Sequence, residues 1–326
     1  PISEECQIGI ITYGTMVNVH EIGFTEFPVC YSFKGEKSYK PVEIQEQLGL
    51  IQSKNIGQSH VSYASNNKFV VPMRDCQFSV STFLDDLQVD PWPKKQGERP
   101  GNCAGLAVNI AVSLLEAIAH GEPSRIMLFL GGAPNIGDGQ IVGKNYSETI
   151  RNYVDFEKGN PNTKYYKQSF EYYNQLAMRA SKSGQVVDLF SCSLNQVGIY
   201  EMKALAEMTG GYMLLTDFFS TMLFKDTFKK MFELDEYGNL KMNFKANIQV
   251  HSSDPLKVSG ALGHMVPLGV KGKNVSEIID TNGGTNSWYV GAVDQNSTYT
   301  FLLDINSTRP VKEGVIQIQT HYIAGD

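Results

Sequence analysis

The stretch 126-IMLFLGGAPNIGDGQIVGKN-145 decides the fold, because an apolar run of strand length passes directly into a glycine-rich loop. Two nucleotide-binding motifs begin in this way, and neither is completed. In the P-loop register, Asp138 replaces the first glycine and Asn145 replaces the magnesium-binding hydroxyl. A Rossmann pattern that starts at Gly137 has Val142 at its third glycine. We therefore interpret the segment as a buried strand followed by a surface loop.

Strands and helices alternate on both sides of this stretch. The clearest helix is predicted for residues 104–120, where apolar residues recur every three or four positions and Gly121 provides a C-cap. The other predicted helices are 41–50, 79–87, 164–184, 198–210 and 219–234, and the other extended segments are 6–14, 16–22, 69–73, 185–194 and 211–217. The remainder of 32–68 is predicted to be loop. Such alternation is typical of an α/β fold with a doubly wound parallel sheet, covered by helices on both faces.

The pattern changes after the turn-rich residues 235–239. Beyond them, short alternating runs are separated by Gly, Pro, Asn and Asp, which indicates antiparallel strands. These runs are 241–252, 256–268, 286–294, 298–306 and 314–323. The sequence thus predicts two units, an α/β domain over 1–238 and an all-β sandwich or barrel over 239–326.

Bulk composition excludes few functions. The 326 residues are 42% hydrophobic with a net charge of −6, so no global basic field would recruit nucleic acid. The longest apolar runs are far shorter than the roughly 20 residues that cross a bilayer. The five cysteines are scattered without a C-x-x-C pair, which favours reduced thiols over a disulfide framework or zinc finger. Four N-x-[ST] triplets leave glycosylation as the alternative, at Asn145, Asn274, Asn296 and Asn306.

Catalytic motifs are not found at the predicted strand ends, where doubly wound sheets bind ligands. Cys192 follows a strand, but a nucleophile needs a positioned base, and a packed small residue is the favoured interpretation. The pair Asp85-Asp86 is expected on a solvated helix face. Trp92 lies among prolines in 90-DPWPKKQGERP-100, as either a binding anchor or a staple that fixes the loop to the domain.

Five segments, in this order, resemble a known family. The family is the GTPase-activating inner-coat subunit of coat protein complex II (COPII), which buds vesicles from the endoplasmic reticulum. The similar segments are 9-GIITYGTMVNVHEIGFTE-26, 87-LQVDPWP-93, 99-RPGNCAGLAVNIAVSLLE-116, 125-RIMLFLGGAPNIGDGQIVG-143 and 207-EMTGGYMLLTDFF-219. The resemblance extends over essentially the whole chain. It marks the following as structural or interaction residues: Pro91, Trp92, Pro93, Arg99, Pro100, Gly131, Gly132, Gly210 and Gly211.

The resemblance implies a von Willebrand A-like trunk over 1–238 and part of a β-sandwich over 239–326. It also implies that the family's first central trunk strand, zinc finger, helical domain and gelsolin-like domain lie outside this sequence, which begins with Pro1. We therefore expect an excerpt of a longer protein. No cofactor is expected within it, since the family's zinc belongs to the zinc finger.

Metal-binding A domains hold magnesium with oxygen ligands, which hard cations prefer. By the resemblance, the threonine position of such a site falls near Cys103-Ala104, and the late aspartate position falls on Gly131-Gly132. The loop therefore resembles a metal site that has lost its charged ligands.

The family's function gives the remaining expectations. The subunit binds the GTP form of a small GTPase and accelerates hydrolysis with an arginine finger, which in the family lies beyond Asp326. We expect docking surfaces and no catalytic group here, with the cargo-adaptor coat subunit and the GTPase as partners. The expected location is cytoplasmic, peripheral on the endoplasmic reticulum membrane. The alternatives are an extracellular metal-dependent adhesion A domain and an enzyme that uses Cys192.

Overall fold

The structure is a computed structural model that describes residues 4–23, 29–51, 67–119, 121–159, 163–305 and 313–324. The predicted glycosylation triplet at Asn306 and much of the predicted loop over 32–68 lie outside these residues. None of the helices in the described ranges combines the length and the hydropathy that a bilayer crossing needs.

The first part of the chain alternates helices and strands, as the sequence predicts. In order, it contains β1 (Gln7–Ile8), β2 (Ile11–Tyr13), β3 (Met16–Glu21), β4 (Val29–Lys34), α1 (Pro41–Gln47), β5 (Val71–Pro72), α2 (Met73–Asp85), α3 (Ala104–Ile118), β6 (Ser124–Leu130), α4 (Tyr153–Lys158), α5 (Tyr166–Lys182), β7 (Gln185–Cys192), α6 (Ile199–Met202), α7 (Ala204–Glu207), β8 (Met213–Thr216) and α8 (Met222–Lys230).

A parallel sheet with the order β6-β7-β8 forms the centre of this α/β unit. Every residue of β7 is buried, because helices cover both faces of the sheet. On one face, Val187 and Leu189 pack among residues of α3, α5 and α7. On the other face, Phe190 packs edge-on against Phe224 and Phe228 of α8. The predicted doubly wound arrangement is therefore confirmed.

The amino-terminal strands form a second, antiparallel sheet with the order β2-β3-β4. The sequence predicted one buried strand over 6–14, and this prediction is wrong in two respects. The run is divided into β1 and β2, and its residues are half-buried or exposed. The reason is that β2 lies beside a large cavity rather than inside a continuous sheet.

That cavity, which we call the strand slot, separates β2 from β6. Its volume is about 2160 Å³, and its lining includes Ile8 and Ile10, Leu128 of β6, and Leu114 and Ile118 of α3. Among the described residues, no strand pairs with the edge of β2 or of β6 that faces the slot.

One side chain crosses the strand slot. The hydroxyl of Tyr13 donates a hydrogen bond to the carbonyl oxygen of Phe129 over 2.5 Å. Both residues lie near the carboxyl ends of their strands, so these two ends are adjacent across the slot.

The second part of the chain is all-β, as predicted. It contains β9 (Met242–Ser252), β10 (Leu256–Leu262), β11 (Val266–Pro267), β12 (Ser287–Asp294), β13 (Thr300–Ile305) and β14 (Ile316–Ala324). A four-stranded sheet, β11-β12-β9-β14, faces a two-stranded sheet, β10-β13, across a core that contains the fully buried Trp288. Two facing sheets make this unit a sandwich. Strand β14 is exposed along its whole length.

Four other local predictions need correction. Strand β4 lies where a loop was expected, and α2 begins at Met73, six residues before the predicted start. Pro72 occupies the N-cap position of α2, where its missing N–H costs no helical hydrogen bond. Helix α4 was missed, although Asn152 and Asp155 form a capping box at its start. The helix predicted over 198–210 is divided into α6 and α7.

A candidate interaction surface at the carboxyl edge of the trunk

The D-P-W-P loop is held against the end of β2 by one carboxylate. Asp90 Oδ2 accepts the backbone N–H of Thr15 at 2.6 Å, and Asp90 Oδ1 accepts the backbone N–H of Trp92 at 3.1 Å. The flanking Pro91 and Pro93 are exposed, and Trp92 is 55% exposed. The loop is thus fixed through its backbone while its largest side chain remains accessible. Of the two predicted roles for Trp92, this geometry favours the binding anchor.

Arg99 is a structural anchor for the loop that follows the glycine-rich stretch. Its guanidinium donates to the carbonyl oxygens of Gly143 at 3.1 Å, of Glu148 at 2.8 Å and of Asn145. The guanidinium also lies 5.1 Å from the ring centre of Tyr146. Its planar, multiple donors suit the simultaneous binding of several carbonyl groups, which a lysine would not reproduce.

Two asparagines organise the edge between Pro100 and the glycine pair. Asn102 Nδ2 donates to the carbonyl oxygen of Gly132 at 2.9 Å, and Asn135 Nδ2 donates to that of Pro100 at 2.8 Å. Asn135 Oδ1 also accepts the backbone N–H of Asn102 at 2.9 Å. A Cβ atom added at Gly131 or Gly132 would meet no atom within 4 Å. The side-chain amides of both asparagines are therefore used within the protein, where they fix the backbone of this edge, and the glycines leave the edge open.

The thiols near this edge are packed rather than exposed. Cys103, at the start of α3, is fully buried, and burial raises the pKa of its thiol to about 12. The sulfur of Cys192 lies 3.0 Å from the hydroxyl of Thr216, and this cysteine is buried. Within the described ranges, no group of three or more His, Cys, Asp or Glu side chains is arranged to hold a metal ion.

The predicted pair Gly210 and Gly211 lies elsewhere, at the corner between α7 and β8. A Cβ at Gly210 would lie 2.5 Å from the carbonyl oxygen of Ala292, which belongs to the sandwich, and one at Gly211 would overlap with the carbonyl oxygen of Val187. The two glycines therefore have a packing role. They do not belong to the edge formed by Arg99 and Gly131.

Sequence reasoning missed the buried pair Arg151–Glu201. The Arg151 guanidinium binds both carboxylate oxygens of Glu201, with one contact of 2.8 Å. Arg151 also lies 5.1 Å from the ring centre of Phe156 and 5.7 Å from that of Tyr200. No local pattern marks this pair, because the partners are far apart in sequence. The capping box at Asn152, immediately after Arg151, was the available signal that this region is ordered.

Comparison with known proteins accounts for this architecture. The fold defines a class of protein in which a von Willebrand A-like α/β unit is followed by a β-sandwich. Residues 1–232 match the family model of the Sec23/Sec24 trunk domain, and residues 243–326 match that of the Sec23/Sec24 beta-sandwich domain. The predicted boundary between residues 238 and 239 stays a prediction.

The chain belongs to the Sec23/Sec24 family of COPII inner-coat subunits, which function in vesicle transport from the endoplasmic reticulum to the Golgi. The crystal structure of the human COPII-coat protein Sec24c is similar in fold, with a TM-score of 0.60 at 14% sequence identity. The similarity covers 98% of this chain and 36% of the Sec24c chain.

Proposed function

We propose that this chain is the trunk and part of the sandwich of the GTPase-activating subunit of the COPII inner coat. A spatial observation carries the proposal, because four of the five segments that resemble that subunit meet at one edge. Asp90 binds Thr15, Arg99 binds Gly143, and the side chain of Asn102 binds Gly132. The first bond joins segments 87–93 and 9–26, and the other two join 99–116 and 125–143. The two pairs are connected by the hydrogen bond from Tyr13 to Phe129 and by the bond from the backbone N–H of Cys103 to the carbonyl oxygen of Gly14.

In this proposal the chain supplies docking surfaces, and the arginine finger belongs to another part of the longer protein. The trunk binds the cargo-adaptor subunit, and trunk and sandwich together dock the small GTPase in its GTP form. The complex is cytoplasmic and peripheral on the endoplasmic reticulum membrane. The edge described above supports this role, since it presents the exposed ring of Trp92 and the open backbone at Gly131 and Gly132.

We assign a direct partner contact to the D-P-W-P loop. Tryptophan is enriched among the residues that dominate binding energy at protein interfaces. Asp90 binds the backbone N–H groups of Thr15 and of Trp92, which fixes the loop before a partner binds. Less conformational entropy is therefore lost when Trp92 becomes buried in a complex.

We further propose that the strand slot is filled in the complete protein by the central strand that the family resemblance implies. The slot exceeds the roughly 300–1,000 Å³ of small-molecule pockets. Its lining includes residues of α2, α3 and α8 as well as of β2 and β6, so a strand placed in the slot would be buried. Such strands are continuously apolar rather than alternating, so the segment expected here is a run of aliphatic residues parallel to β6.

The test uses the full-length protein with Trp92→Ala, and Tyr237→Ala as the matched control. Tyr237 is an 81% exposed aromatic residue in the turn before the sandwich. Affinities for the cargo-adaptor subunit and for the GTP-loaded GTPase are measured by surface plasmon resonance. We expect Trp92→Ala to lose about tenfold or more for at least one partner, equivalent to about 1.4 kcal/mol, and Tyr237→Ala to change neither. Unchanged affinities in both variants would remove the loop from the interface, and failure of the unmodified protein to bind either partner would refute the proposed function.

A further inference from the structure

The corner at residues 209–212 is a place where the trunk packs against the sandwich. A Cβ at Gly210 would meet Ala292, and a Cβ at Gly291 would overlap with the carbonyl oxygen of Thr209. Backbone from the two units is therefore in direct contact, which only glycine permits at this distance.

A chain of polar contacts continues through this corner. Arg125 on β6 binds the fully buried carboxylate of Asp188 with two hydrogen bonds, of 2.5 and 2.7 Å. Asp188 also accepts the backbone N–H of Tyr212 at 2.8 Å, and the guanidinium of Arg125 lies 5.1 Å from the ring centre of Tyr212. Finally, the hydroxyl of Tyr212 donates to Asp294 Oδ2 at the end of β12, over 2.6 Å. Backbone and ring of Tyr212 are thus fixed by the trunk, and its hydroxyl is bound by the sandwich.

A second contact lies on another part of the boundary. Lys245 of β9 donates to the carbonyl oxygen of Gly121, just before β6, and Lys245 adopts a positive φ of 50°. A further contact joins Arg125 Nη1 to the sulfur of Met242, at 3.0 Å. Several contacts at separate points restrict rotation, whereas domains joined by a small interface usually move relative to each other.

We propose that Tyr212 is a positioning residue that fixes the angle between trunk and sandwich, so that both can contact the GTP-loaded GTPase at once. This inference rests on the proposed function, because it assumes that the GTPase touches both units. We call this set of contacts between trunk and sandwich the joint. If the joint were looser, the two units would adopt other angles as well, and the apparent affinity would decrease in proportion to the fraction of molecules with the competent angle.

The experiment compares Tyr212→Phe with the unmodified full-length protein. The substitution removes the hydroxyl and retains the ring on Arg125. Spin labels are attached at Val42 on α1 and at Ile278 in the sandwich, both exposed. Electron–electron resonance then gives the distribution of distances between the two units, and GTPase affinity is measured in parallel. Tyr289→Phe is the matched control, because the hydroxyl of Tyr289 on β12 has no hydrogen-bond partner among the described residues.

We expect Tyr212→Phe to broaden the distance distribution and to weaken GTPase binding about three- to tenfold, while Tyr289→Phe changes neither. An unchanged distribution in Tyr212→Phe would overturn the role of the joint. A broadened distribution with unchanged affinity would overturn its link to GTPase docking. If the unmodified protein binds no GTPase, the proposed function fails, whereas the distance measurement still decides whether Tyr212 fixes the angle.

Discussion

Gly211 packs so closely on the carbonyl oxygen of Val187 that a Cβ atom would overlap with it, whereas a Cβ at Gly131 would meet open space. The two glycines come from the same set of family-like residues, yet only one is required for packing. Gly211 brings the chain onto the buried strand β7, and Gly131 leaves the carboxyl edge of β6 open.

This difference predicts opposite outcomes for the same substitution. Gly211→Ala should lower the free energy of unfolding by roughly 1–3 kcal/mol or more, because an overpacked backbone contact must be relieved by movement. Gly131→Ala should stay within about 0.5 kcal/mol of the unmodified protein. Urea unfolding of the three proteins checks both values. Equal stability of the two variants would contradict the packing role of Gly211.

Arg99→Lys should loosen the loop at residues 143–148. A lysine cannot bind the carbonyl groups of Gly143, Asn145 and Glu148 together, and the loss of these charge-assisted bonds should cost about 2 kcal/mol. Hydrogen exchange of the loop amides is the measurement, and they should exchange faster. Arg74→Lys is the control, since Arg74 pairs with Glu5 at the surface and such pairs contribute little. Equal exchange in both variants would contradict the anchoring role.

Acid should weaken the contact between Tyr212 and Asp294. Burial alone would raise the pKa of Asp294, but hydrogen bonds from Tyr212, Ser297 and Asn296 outweigh burial and lower it. A lowered pKa means that the carboxylate stabilises the fold above the unfolded value of about 3.9. This stabilisation is lost as pH falls through the folded pKa.

The stability of the unmodified protein relative to Asp294→Asn should therefore decrease below about pH 4, while it stays constant near neutrality. Unfolding curves of both proteins across this range measure the difference. A difference that does not depend on pH would show that Asp294 is not the titrating group.

Magnesium should leave the thermal unfolding of the protein unchanged. A cation that binds the folded state alone raises the unfolding temperature once its concentration exceeds its Kd. The positions that would carry metal ligands by resemblance hold the Gly131-Gly132 pair and the buried Cys103, whose thiol pKa is about 12. Unfolding is followed with millimolar magnesium and with a chelator. A rise in unfolding temperature with magnesium would contradict the loss of the metal ligands.

Local sequence patterns predicted most of the elements, because amphipathic period and caps act within a few residues. Helices α3 and α5 and strand β7 follow their predicted ranges closely. Strand β4 was predictable as well, since Val29, Tyr31 and Phe33 alternate with smaller or polar residues. The incorrect start of α2 came from assigning Met73 to the preceding extended run.

The contacts that organise the candidate surface, and those between trunk and sandwich, were not predictable from local pattern. Asn102 and Asn135 are 33 positions apart, and Tyr212 and Asp294 are 82 positions apart. Such pairs meet only once the sheet and the sandwich are assembled. The family-like segments were found by resemblance, but the division between an exposed loop at Trp92 and packing glycines at 210–211 required the three-dimensional arrangement.

The most direct test of the account is the affinity of the full-length protein for the small GTPase in its GTP-bound and GDP-bound forms, measured with and without the cargo-adaptor subunit. The account predicts that the adaptor subunit and the GTP form are both retained, and that the GDP form binds at least tenfold more weakly. Equal binding of the two nucleotide forms, or retention of neither protein, would contradict it.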